Sequence, residues 1–147
     1  MEISLKKITL KGNPISKRHG HSSTFVYEKG IYIFGGTSKN QEILSDLFLI
    51  DTDFNVKKIQ IYGNSPSLAY FSGFETFTEH SLILYGGFNG EGIDNNVYLF
   101  NHKTRKFSVL NHDELSKPHF LGSYYVVNGN LGMIGGYSKV EVLQIIT

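Results

Sequence analysis

The stretch GIYIFGGTSKN, residues 30–40, drives four apolar residues straight into two adjacent glycines, Gly35 and Gly36. The same event recurs in SLILYGGFNGEG (81–92), at Gly86 and Gly87, and in NLGMIGGYSK (130–139), at Gly135 and Gly136. The pairs lie 51 and 49 residues apart. A glycine pair supplies backbone conformations with positive φ and lets another backbone come close. Three such pairs in register mark a repeated unit in which an apolar strand ends where neighbouring elements crowd together.

A self-comparison at the same offset finds a second echo. LKKITLKGNP (5–14) lies over VKKIQIYGNSP (56–66) with one residue inserted. Each unit then reads as up to four strand-like runs. Run a is HSSTFVY, SGFETFT or GSYYVV; run b ends at the glycines; run c is DLFLI, NVYLF or VEVLQI; run d is NVKKIQIY or KFSVL. Polar turn signals separate them, as at Glu28-Lys29-Gly30, Asp51-Thr52-Asp53, Asn101-His102-Lys103 and Asn128-Gly129. Run b is apolar at consecutive positions, the pattern of a strand covered on both faces. A period near 50 with four strands per unit is that of a propeller blade. The fold class expected is all-β.

On these residues the chain resembles the Kelch-repeat family, whose units carry an apolar run, a diglycine, an aromatic and then a tryptophan. The aromatic position is filled by Phe48 and Tyr98, with Leu143 in the third unit. Val56 and Phe107 stand at the tryptophan position, and the chain contains no tryptophan. Arg18 fits the family's arginine before the innermost strand, where the other units hold Ala69 and Pro118. The resemblance implies three four-stranded antiparallel blades over residues 1–147. Blade 1 spans about 17–62 and blade 2 about 68–111. Blade 3 spans about 119–147 and is completed by strand 3–10, as Kelch rings close with a terminal strand. Three blades are fewer than the 4–8 of ordinary propellers. The chain is therefore read as a partial propeller, a remnant of a longer one, or half of a homodimeric six-bladed ring.

Composition narrows the function. With 40% hydrophobic and 18% charged residues the chain can build a core. The net charge of +1 has no basic block behind it, so neither nucleic acid nor an anionic membrane is expected as a partner. The N-terminus is not a secretory signal and no run reaches the ~20 apolar residues of a membrane span. An intracellular, cytoplasmic location is the expectation. There is no cysteine, which removes disulfides, thiolate metal sites and the Tyr–Cys copper chemistry found on some Kelch enzymes.

The longer connections are Lys11–Arg18, Thr37–Ser45, Tyr62–Ala69, Phe88–Asn95 and Asn111–His119. All are b–c or d–a links and so share one face of the blades. Long loops on a rigid scaffold are where binding residues concentrate. Lys39, Asn40, Phe88, Asn89, Glu91 and Tyr137 are the candidate partner contacts, with Arg18, His19 and His21 near the inner rim. His19 and His21 share a strand face but lack the third ligand that a zinc site needs. DTDFNV (51–56) opens like a calcium loop, yet Val56 and Tyr62 stand where glycine and glutamate belong, so it reads as a c–d turn. No cofactor, metal or catalytic residue is assigned. Asp113 and Glu114 are adjacent and point opposite ways on a strand. The expected function is a non-enzymatic protein-interaction scaffold. The alternatives are a small propeller hydrolase, isomerase or lyase, with Arg18, His19, His21 and Asp46 converging at the channel mouth, or a degenerate remnant.

Overall fold

The computed structural model describes residues 3–67, 69–94, 96–110, 121–134 and 136, and the backbone of 141–144. The strands in chain order are β1 (Lys11–Gly12), β2 (Arg18–His19), β3 (Ser22–Val26), β4 (Gly30–Phe34), β5 (Thr37–Ser38), β6 (Leu47–Asp51), β7 (Asn55–Ile59) and β8 (Tyr62–Gly63). They continue with β9 (Gly73–Thr78), β10 (Ser81–Tyr85), β11 (Val97–Asn101), β12 (Lys106–Leu110), β13 (Ser123–Val127), β14 (Asn130–Ile134) and β15 (Glu141–Gln144). There is no helix among the described residues, and so none long and apolar enough to cross a membrane.

Runs a to d of the first unit form the antiparallel sheet β3-β4-β6-β7, and those of the second form β9-β10-β11-β12. The third sheet holds β13-β14-β15. The chain is all-β and built of Kelch-type blades, as the repeats require. Turn residues fix the registers. Asp51 Oδ1 accepts from the amides of Asp53 (3.0 Å) and Asn55 (2.9 Å), which closes the β6–β7 hairpin. That use of DTDFNV is a turn.

Blade 2 stands between the other two. Its β10 is buried at every position, as a strand covered on both faces must be. One face of blade 2 packs Phe74, Leu82, Leu84, Phe100 and Phe107 on Val26, Tyr32, Phe34 and Leu47 of blade 1. Phe34 and Phe107 have ring centroids 5.7 Å apart. The other face packs Ile83, Tyr85 and Val97 on Leu131 and Met133 of blade 3. Each of these side chains contributes roughly 1.5–3 kcal/mol by leaving water. The innermost strands touch edge to edge, and a hydroxyl ladder joins β3 to β9. Ser22 Oγ lies 2.8 Å from Ser72 Oγ, and Thr76 Oγ1 donates to Phe25 O at 2.9 Å.

The first diglycine sits where the backbone of the next unit crosses, and Gly36 and Gly87 lie against the segment that enters their own unit's innermost strand. A Cβ on Gly35 would lie 2.1 Å from Ala69 O, and Gly36 N donates to that same oxygen at 2.8 Å. Gly35 and Gly36 have φ of 66° and 94°, and Gly86 and Gly87 repeat them at 66° and 90°. Gly136 has φ 78°; Gly135 lies outside the described residues. A strand must stop here because no side chain fits, and the loop must turn because the next crossing is in the way.

One expectation differs from the fold. Residues 3–10 echo a d strand in sequence, yet they form no strand with the described residues and are exposed throughout. The first strand is β1, which runs parallel beside β7. A d-strand pattern supplies propensity but not the sheet edge that it must hydrogen-bond. The described part of the third sheet, β13-β14-β15, carries no pairing with this segment.

Candidate binding face

The b–c and d–a connections come together at one end of the blades, fastened by backbone hydrogen bonds. β2 pairs with β5, which brings Arg18 and His19 opposite Ser38 and Thr37. Tyr70 and Phe88 exchange backbone hydrogen bonds of 3.2 and 3.0 Å, so the crossing into blade 2 is stitched to that blade's own b–c loop. Phe71 N donates to Gly20 O at 2.7 Å, and Leu121 N donates to Phe71 O at 3.4 Å. These three residues occupy equivalent repeat positions and all have positive φ, of 64°, 57° and 62°. They form a backbone chain that passes from blade to blade just before each innermost strand.

Aromatic side chains fill the centre of this face. Tyr70 stacks on Phe71 at 4.8 Å and meets Phe88 edge-on at 5.5 Å. Gly20 lies against both Tyr70 and Phe71. Around the aromatics, His19, His21, Lys39, Asn40 and Glu91 are exposed, whereas Phe88 and Asn89 are half-buried. Partial burial, and then the charge of Arg18, hold the His21 pKa below its ordinary 6.5, so it is neutral at neutral pH. The loop tips are ordered by their own side chains. Ser38 Oγ accepts from the amides of Asn40 and Glu42. Asn89 Oδ1 accepts from those of Glu91 and Gly92 at 3.0 and 2.9 Å. Asn89 is thereby a turn former, and its amide oxygen is spent on the loop. Tyr98 anchors the other end of that loop by donating to Asp94 Oδ2 at 2.7 Å. Burial, followed by the Asp94 carboxylate, pushes the Tyr98 pKa up to about 12.

Arg18 has a different role from its neighbours. Its side chain is 4% exposed, and Nη1 and Nη2 reach Asp46 Oδ1 and Oδ2 at 2.5 and 3.2 Å. Nη1 also donates to Gly35 O at 2.9 Å, and the guanidinium lies 5.2 Å from the Phe48 ring centroid. Arg18 thus clamps the diglycine turn to the b–c loop of blade 1. Arg18 and Asp46 do converge, but on each other, while His19 and His21 point to the exposed surface. Tyr137, Asp113 and Glu114 lie outside the described residues. Among the described residues no three histidines or carboxylates gather as a metal group.

Tyr70 and Phe71 are the residues that sequence reading passed over. Their signal was present only in the alignment of Phe71 with Gly20. A cavity of about 420 Å³ opens at the opposite end of the blades, beside the a–b and c–d turns, and is lined by Val26, Glu28, Thr76, His80, His102 and Lys103.

The family model of the KLHDC2/KLHL20/DRC7 Kelch-repeats domain matches residues 2–146. The chain belongs to the Kelch-repeat family. Kelch domain-containing protein 1 of Mus musculus is 28% identical to it over 135 residues, which covers 90% of this chain. The Kelch chain spans about a third of the length of that curated relative, 33%. Kelch repeats serve in general as protein-interaction modules. The diglycines, the aromatics Phe48 and Tyr98, and the arginine before the innermost strand of blade 1 are the Kelch features that this fold uses structurally.

Proposed function

We propose that the chain is a non-enzymatic binding module that contacts a protein partner through its b–c and d–a loops. The observation that carries this reading is the fusion of loops from two blades into one surface by the hydrogen bonds joining Gly36 to Ala69, Tyr70 to Phe88 and Phe71 to Gly20. Loops held this way lose little entropy on binding, which favours affinity. Phe88, Tyr70 and Phe71 supply a compact aromatic centre, and His19, His21, Lys39, Asn40 and Glu91 a polar rim. That is the distribution of a protein interface, with anchors inside and exchangeable polar groups outside. Arg18, the buried cation of this face, is occupied by Asp46.

Photo-crosslinking residues installed singly at Lys39, Glu91 and Lys103 test the reading in cells that express the chain. Crosslinks to one protein from Lys39 and Glu91, absent from Lys103 on the opposite end, are expected. Crosslinks from Lys103 alone would place the interface elsewhere and reject the proposal.

A further inference from the structure

The two interfaces inside the chain are copies of one another. Tyr32, Phe34 and Leu47 of blade 1 face blade 2, and the repeat-equivalent residues of blade 2, Ile83, Tyr85 and Val97, face blade 3. Phe74, Leu82 and Leu84 of blade 2 face blade 1, and their equivalents Tyr124, Leu131 and Met133 face blade 2. Every blade therefore has one face of each kind, and the stack runs head to tail.

Among the described residues the two end faces are of opposite kind and both expose apolar side chains. Ile31 of blade 1 is 41% exposed where its equivalent Leu82 is at 0%. Ile134 of blade 3 is 55% exposed where Phe34 is at 0%, and Val127 is 54% exposed where Val26 is at 5%. The bare face of blade 1 thus has the chemistry that blade 2 uses to bind blade 1, and the bare face of blade 3 has the chemistry that blade 1 uses to bind blade 2.

The segment before β1 adds an independent observation. β8 runs parallel beside β12 just as β1 runs parallel beside β7. β7 leads into β8 from the outer edge of the preceding blade, so residues 4–8 lead into β1 from the position of an outer strand on a blade stacked against the bare face of blade 1. Leu5, in the register of Val56 and Phe107, is 100% exposed where they are 3% and 0%.

We propose that two copies of this chain stack head to tail, blade 1 of each against blade 3 of the other. Segment 4–8 then becomes the outer strand of the other copy's third sheet. Two copies stacked in this way give six blades, within the 4–8 of stable propellers. A two-fold assembly of this kind uses both bare faces at two equal junctions and leaves none open.

Sedimentation of the purified chain tests this. A species at twice the chain mass of 16.6 kDa is expected. Leu5→Asp does not disturb the folded single chain, since Leu5 touches solvent on all sides, and should weaken the dimer on the order of a hundredfold because both junctions lose a buried leucine. Ile31→Lys and Val127→Glu should each sediment as folded monomers with unchanged circular dichroism. Mixed one to one they should recover a dimer, because the wild-type blade 1 face of one then meets the wild-type blade 3 face of the other. A wild-type monomer overturns the proposal, as does a ladder of higher oligomers. So does a dimer indifferent to all three substitutions, or a pair of variants that fail to complement, which would mean like faces are packed on like.

Discussion

Removal of Asp46 should harm the fold more than removal of the arginine it holds. In Asp46→Ala, the Arg18 guanidinium, its side chain 4% exposed, loses its bidentate partner and keeps Gly35 O, Ser16 Oγ and Ser16 O as acceptors. An abandoned buried charge costs about 3–5 kcal/mol. The three remaining acceptors place this case near the lower end, at about 3 kcal/mol. In Arg18→Met the aliphatic stem can still cover Phe48, and the Asp46 carboxylate, with its side chain 21% exposed, can turn to water. That change should cost about 1–2 kcal/mol. The double variant Arg18→Met/Asp46→Ala leaves no stranded charge and should cost about 1–2 kcal/mol, which gives a coupling of about 3 kcal/mol. Urea unfolding followed by far-ultraviolet circular dichroism reads all three directly. Equal m-values would show that the unfolded state is unchanged. Additive single costs would show that the pair is a solvated surface contact, and a larger loss in Arg18→Met than in Asp46→Ala would reverse the reasoning.

Gly35→Ala should cost about 3 kcal/mol or more by the same assay, because its Cβ would meet Ala69 O at 2.1 Å from a φ of +66°. Near-wild-type stability would mean that the d–a crossing can move aside. Leu121→Gly should stabilise the chain by about 1 kcal/mol, since Leu121 holds φ 62° with an exposed side chain; a loss of stability would show that its contacts outweigh the strain. The Asp51 carboxyl is lowered from 3.8 to about 2 by Lys57 first and then by the Asn55 amide. A folded pKa below the unfolded one means that the stabilisation is present above pH 4 and fades between pH 4 and pH 2. Asp51→Asn should flatten stability against pH in that window, and an unchanged profile would refute the linkage.

The repeat made most of the fold legible. Eleven of the runs read from the sequence are strands, because each combines an apolar pattern with a turn signal that recurs at the same offset. The strand β10 was readable as doubly covered because five consecutive buried positions leave no polar face. Blade 1 shows the limit of the same inference. β4 carries the same kind of run but alternates buried and exposed positions, because among the described residues only one of its faces packs against another blade. Residues 3–10 show it again: their pattern specifies a strand, but only a sheet edge can make one. At the loop end of the blades, the exposure of Lys39, Asn40 and Glu91 was legible because long polar tips are exposed wherever they fall. Tyr70 and Phe71 were not, because a crossing segment has no period to reveal which way its side chains point. The turn-forming part of Asn89 was not legible, because its Asx turn depends on the amides of Glu91 and Gly92, a local geometry rather than a composition.

Amide hydrogen exchange across the strands tests the stacking of equivalent blades most directly. Protection follows burial between packed sheets. β10, in the middle of the central blade, should therefore exchange slowest, and the loop residues 38–42 fastest among the described elements of blade 1. β10 amides that exchange as fast as those of loop 38–42 would contradict a central blade enclosed by two others.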